Sequence, residues 1–140
     1  MKTASFFVFA LAGASAWAAD LDLNGTWAFR LEEGKSIEEV ADPAFRPNDE
    51  MAVPGCWDMT PRHYMKRGTA LYRRAFKLEK AVPNAWLVVE GMGIRGDFRI
   101  DGKSLGVHPY PYARLELETG PLAAGEHVLF AALDNRFDWD

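Results

Sequence analysis

After residue 19 no stretch holds a long helical period. What recurs is short apolar alternation, cut repeatedly by Gly, Pro, Asn and Asp. This pattern constrains the chain most, because a side-chain period of two puts alternate residues on opposite faces of a pleated strand. Trp27, Phe29 and Leu31 alternate with Ala28 and Arg30, and Met51 and Val53 form a brief run stopped by Pro54-Gly55. Tyr72, Phe76 and Leu78 share a face, with Arg74 as the exception, while Arg73 and Lys77 take the other. Trp86 to Val89 is continuously apolar, as in a strand covered on both sides. Phe98 and Ile100 lead into Asp101-Gly102, a two-residue hairpin signal, and Leu105 and Val107 carry the return. Leu115 and Leu117 alternate with Arg114, Glu116 and Glu118. Gly120-Pro121 and Gly125-Glu126 then bracket a turn before the last buried run, His127 to Leu133. Ser36 to Val40 carries a Ser-x-x-Glu capping pattern and predicts one helical turn. Seven or eight such strands predict an all-β sandwich or jelly roll.

The N-terminus follows a different rule. Lys2 precedes the apolar and small residues Ala4 to Ala16, and Ala16-Trp17-Ala18 reads as an A-x-A cleavage site. The run is shorter than the roughly 20 residues of a spanning helix. Residues 1–18 are therefore expected to be a signal peptide and residues 19–140 one domain, exported to the periplasm or the medium of a bacterium. A domain of that length cannot contain a barrel enzyme, which takes about 250 residues. The formal charge of −4 argues against a dedicated nucleic-acid binder, which would need a strongly basic face. The one cysteine, Cys56, reads as a small, inert core hydrophobe.

Five blocks in order resemble glycoside hydrolase family 2, the β-galactosidase and β-glucuronidase family. Leu23-Asn24-Gly25-Thr26-Trp27-Ala28-Phe29 is similar to the L-x-G-x-W-x-F opening, and Val53-Pro54-Gly55-Cys56-Trp57 to V-P-x-x-W. Gly68 to Phe76 resembles G-x-x-x-Y-R-R-x-F. Asp101 to His108 resembles the hairpin N-G-x-x-v-G-x-H, with Asp in place of the usual Asn. Gly125-Glu126-His127-Val128-Leu129, followed by Asp134-Asn135, is similar to the stretch that closes the domain. The resemblance implies the N-terminal sugar-binding domain, a galactose-binding-like jelly roll, here expected to lack its last strand. It also implies that the two catalytic glutamates lie on a barrel outside this chain. The Gly-Gly-Tyr usual after the hairpin His is here Tyr110-Pro111-Tyr112.

On this reading the chain alone is non-catalytic, with no catalytic residue, cofactor or metal of its own. Retaining glycosidases need two carboxyls about 5–5.5 Å apart, one with a raised pKa. Asp134, Asp138 and Asp140 cluster, but carboxylates in a terminal loop are expected to be solvated. The resemblance places Asn135, Arg136 and Asp138 where loops help shape the sugar subsite, the alternative being turn-forming residues. Tyr112, with Tyr110, offers an aromatic platform for a pyranose face, the alternative being a cover over one end of the sandwich. Trp27, Trp57 and Trp86 are expected in the core, each N–H meeting a backbone acceptor. The basic stretch Arg62 to Arg67 reads as a solvated loop or a contact surface toward the barrel. Arg95-Gly96-Asp97 reads as a turn. The expected partner is a β-glycoside, in the context of a catalytic barrel, with no nucleic acid and no membrane span. Two other readings remain open: a free-standing carbohydrate-binding module, and a periplasmic interaction sandwich without sugar affinity.

Overall fold

The computed structural model describes residues 6–11, 19–92, 94–109 and 113–136. They form ten strands: β1 (Phe6–Leu11), β2 (Ala19–Asp22), β3 (Gly25–Glu33), β4 (Asp49–Val53), β5 (Gly68–Leu78), β6 (Val82–Gly91), β7 (Arg95–Ile100), β8 (Lys103–His108), β9 (Leu115–Leu122) and β10 (Gly125–Asp134). A single helical turn, α1 (Ile37–Val40), follows β3. The strands make two antiparallel sheets, β2-β1-β6-β9 and β4-β3-β5-β10-β7-β8, packed as a β-sandwich. Every run that the sequence alternation marks as a strand lies in one of β3 to β10. The segment read as a leader supplies β1, which pairs with β2 and with β6.

The core between the sheets follows from the alternation. Trp27 and Phe29 of β3, Tyr72 and Phe76 of β5, Leu87 and Val89 of β6, Phe98 of β7, and Leu129 and Leu133 of β10 point into one cluster. Trp27 donates its indole N–H to Leu23 O at 2.8 Å, so its polar atom is buried with a partner. Tyr72 and Phe29 pack edge-to-face with ring centroids 5.0 Å apart. Trp86 departs from expectation. The inward positions of β6 are Ala85, Leu87 and Val89, so the period of two turns Trp86 to the outer face, where it is half-buried.

A second, smaller cluster covers the outer face of the six-stranded sheet. There α1 and the segment after it place Ile37 and Phe45 on Leu71, Phe130 and Ala132. The helical turn forms as the capping pattern predicts, with Ser36 at the N-cap and its N–H donating to the Glu39 carboxylate at 2.7 Å. The Arg73 guanidinium lies 5.0 Å from the centre of the Phe45 ring and donates to Phe45 O at 2.9 Å, holding this strap down. The Asp101-Gly102 hairpin forms with both φ angles positive, +50° and +79°, as a tight primed turn requires. Arg95-Gly96-Asp97 is strand and not turn. Gly96 is there because a Cβ would meet Met92 Sδ at 2.7 Å, and Asp97 is buried, paired through Oδ2 with Arg99 at 2.9 Å.

Candidate functional site

Two of the four candidates, Asn135 and Arg136, directly follow β10, beside the loop that joins β4 to β5. This loop begins with the Val53-Pro54 cis peptide, makes one 3-10 turn at Trp57–Met59 and returns at Gly68. Trp57 is buried and packs near Phe29, which anchors the start of the loop. His63 is buried too, its ring 5.1 Å from Phe29 and its Nε2 3.0 Å from Asp49 Oδ2. The His63 contact and the Glu50 N–H both hold the Asp49 carboxyl below the usual carboxylate range.

Asn135 fastens the other side. Its backbone N–H donates to Gly68 O at 3.2 Å, and its Oδ1 accepts from Gly68 N–H at 3.0 Å. Its Nδ2 donates to Lys66 O at 3.1 Å and to Asp58 Oδ2 at 3.3 Å. Its carbonyl accepts from Arg67 Nη1 at 3.2 Å. The side chain is 5 % exposed and both amide hydrogens are in use, so in this arrangement Asn135 shapes the loop from beneath. Gly68 makes the close approach possible. A Cβ there would meet Glu32 O at 2.3 Å, and its φ is +153°.

Arg136 bends back over its neighbour. Its Nη2 donates to Asp134 Oδ2 at 2.8 Å and its Nε to Asp134 Oδ1 at 3.0 Å, a two-pronged grip. Asp134 is buried at 5 % exposure, contrary to the solvated carboxylate expected of a terminal loop. The strand runs one residue further than the alternation suggests, and the guanidinium supplies the charge that burial requires. Cys56 also differs from expectation. It is half-buried and its thiol donates to Asp58 Oδ1 at 2.8 Å, so Asp58 is held from two sides, by Cys56 and by Asn135. Nothing in the sequence marks Asp58 except its place directly after the V-P-x-x-W block. Asp138 and Tyr112, with Tyr110 and Asp140, lie outside the described residues.

Three large hydrophobic side chains of the loop face outward. Met59, Tyr64 and Met65 are 64 %, 59 % and 69 % exposed. Elsewhere, a cleft of about 440 Å³ opens between α1 and β3, with Phe45 and Leu71 on its floor and Arg30, Glu32, Lys35 and Arg46 among its walls. Arg30 and Lys35 there both pair with Glu32. Among the described residues no three His, Cys, Asp or Glu side chains stand close enough to hold a metal ion. No described helix is long and apolar enough to cross a membrane.

A β-galactosidase of Bacteroides ovatus is 28 % identical over 131 residues, covering 81 % of this chain and 15 % of the enzyme. A β-glucuronidase of Bifidobacterium dentium, solved with coumarin-3-O-glucuronide, superposes with a TM-score of 0.65 at 25 % identity, covering 99 % of this chain and 22 % of its own. The neighbours are family 2 glycoside hydrolases. A β-glucuronidase of Ruminococcus gnavus, solved with D-glucuronic acid, shares the fold with a TM-score of 0.69 at 14 % identity, over 99 % of this chain and 23 % of its own. The chain thus spans 15–23 % of the length of these family 2 enzymes. No model of a protein family matches the chain.

Proposed function

We propose that the chain is the N-terminal sandwich module of an exported family 2 β-glycosidase, packing against the catalytic barrel and shaping the sugar site. The observation that carries the reading is the superposition of nearly the whole chain on less than a quarter of several such enzymes. Bond cleavage would then depend on carboxyls of the barrel. Among the described residues, the buried carboxylates of Asp134 and Asp97 are each paired with a guanidinium, that of Arg136 and that of Arg99.

Asn135 serves this role by setting the loop from Pro54 to Gly68. Arg136, Asp138 and Tyr112 are the groups proposed nearest the sugar, since guanidinium, carboxylate and phenol suit hydroxyls and a pyranose face. Export to the periplasm or medium belongs to the same proposal and rests on the Lys2 to Ala18 pattern.

The direct test is hydrolysis of aryl galactosides and glucuronides by the purified chain. No turnover is expected, and unaided cleavage would overturn the reading. Reading the nucleotide sequence past the last codon supplies an independent test, with a barrel-coding region expected in frame.

A further inference from the structure

Five large hydrophobic side chains are exposed among the described residues, and three of them, Met59, Tyr64 and Met65, stand within seven residues of one loop. Met65 also holds a φ of +57°, a backbone conformation that a bulky side chain adopts only under constraint. The constraint is visible. Met65 N–H donates to Asp58 O at 2.9 Å and Lys66 N–H to His63 O at 3.0 Å, while Asn135 grips Lys66 O and Asp58 from below. A buried polar network therefore holds apolar side chains out in water, where loose chain would turn them inward. Concentrated apolar surface on a strained, well-held loop marks a contact surface.

The charges around it narrow the partner. Arg62 lies 3.3 Å from Asp49, Lys66 3.7 Å from Glu33 and Arg67 3.9 Å from Asp58, so each cation already has a carboxylate of this chain beside it. Recognition is left to the apolar side chains, two of them methionines, whose flexible thioethers adapt to an irregular depression, and one a tyrosine, a residue enriched at interface hot spots. The position of the loop narrows the partner further. Asn135 commits its backbone and side chain to Lys66, Arg67, Gly68 and Asp58, so the main chain after β10 leaves from the rim of this platform. More than three quarters of each family 2 relative lies outside the matched segment.

We infer that the platform of Met59, Tyr64 and Met65 is the seat of the catalytic body of a family 2 glycosidase, which meets it with an apolar depression. This rests on the module reading above and specifies the surface that reading uses.

The test titrates the full 140-residue chain against the Bacteroides ovatus β-galactosidase from which the matched segment has been deleted, at low and at high salt. Saturable binding is expected, changing less than about threefold with salt because no unpaired charge drives it. The variant M59Q/Y64S/M65N, with Asn at 65 because it tolerates left-handed backbone, should bind at least about tenfold more weakly. Its melting temperature should stay within about 2 °C of the parent. Equal affinity of variant and parent overturns the platform and leaves the module reading standing. Binding that collapses at high salt moves the contact to the charged groups and overturns the platform too. So does a variant that melts far below the parent, since these side chains would then serve the domain's own fold. A parent chain that does not bind overturns the module reading and the platform with it.

Discussion

The two ends of β10 are fastened by different chemistry. At its far end the neutral amide of Asn135 bridges Gly68, Lys66 and Asp58, almost out of water. At its near end His127 places Nδ1 2.6 Å from Asp101 Oδ2 and Nε2 2.7 Å from Ala123 O. Both partners accept, so the two contacts are hydrogen bonds together only in the imidazolium form, in which both ring nitrogens donate. Burial works against that charge, but the hydrogen bonds to the Ala123 carbonyl and the Asp101 carboxylate outweigh it and lift the His127 pKa above its usual value. Asp101 also caps Val128 N–H through Oδ1 at 2.8 Å, sewing the tip of the β7–β8 hairpin to β10. One strand thus carries an amide latch that does not titrate and an ionic latch that does. Evenly distributed stability would hide this contrast, and substitution should expose it.

The largest effect is expected at the amide end. Gly68→Ala forces a methyl onto the Glu32 carbonyl and strains the backbone, and should destabilise by about 3 kcal/mol in denaturant unfolding. Asn135→Ala leaves the Gly68 N–H and the Lys66 carbonyl without this partner, and should lose about 2 kcal/mol at every pH tested. A pH-dependent loss there would break the comparison. At the ionic end, Asp101→Asn keeps an oxygen for Val128 but removes the charge. It should cost about 1 kcal/mol, because the carboxylate is 46 % exposed and solvent screens it.

That loss should depend on pH in a defined direction. With the folded pKa of His127 raised, its stabilisation is complete below about 6.5, the unfolded value, and fades as pH rises through the folded value. The difference between parent and D101N melting temperatures should therefore shrink toward alkaline pH. The opposite sign applies to Asp49. Its folded pKa is lowered, so its contribution is present above about 3.8 and lost as pH falls through the folded value. The smallest effect is expected on the strap. Lys35→Ala removes an exposed pair with Glu32 and should change stability by about 0.5 kcal/mol or less, and only at low salt.

Much of the fold is legible because a pleated strand writes its buried face into every second residue. Trp27, Phe29 and Leu31, the Asp101-Gly102 turn and the Ser36 cap each state a local preference that the sandwich keeps. Trp86 shows the limit. A continuous apolar run has no period, so nothing in Trp86 to Val89 says which residues face inward until pairing with β1 and β9 sets the faces. Arg95-Gly96-Asp97 shows another, since a glycine that admits a neighbouring side chain looks like a glycine that makes a turn.

The site divides in the same way. Asn135 and Arg136 are picked out by the family resemblance of the stretch that closes the domain, which needs only the order of residues along the chain. Arg136 grips Asp134 two positions away, but other partners are remote: Asp58 lies 77 positions from Asn135 and Gly34 lies 102 from Arg136, separations that no spacing rule spans. The amino-acid order alone determined β3 to β10, the Asp101-Gly102 turn and the two-layer class, because those depend on neighbours along the chain. Only the tertiary structure decided that an amide holds one end of β10 and an ion pair the other, and that Met59, Tyr64 and Met65 stand in solvent, because each depends on which distant groups meet when the sheets close.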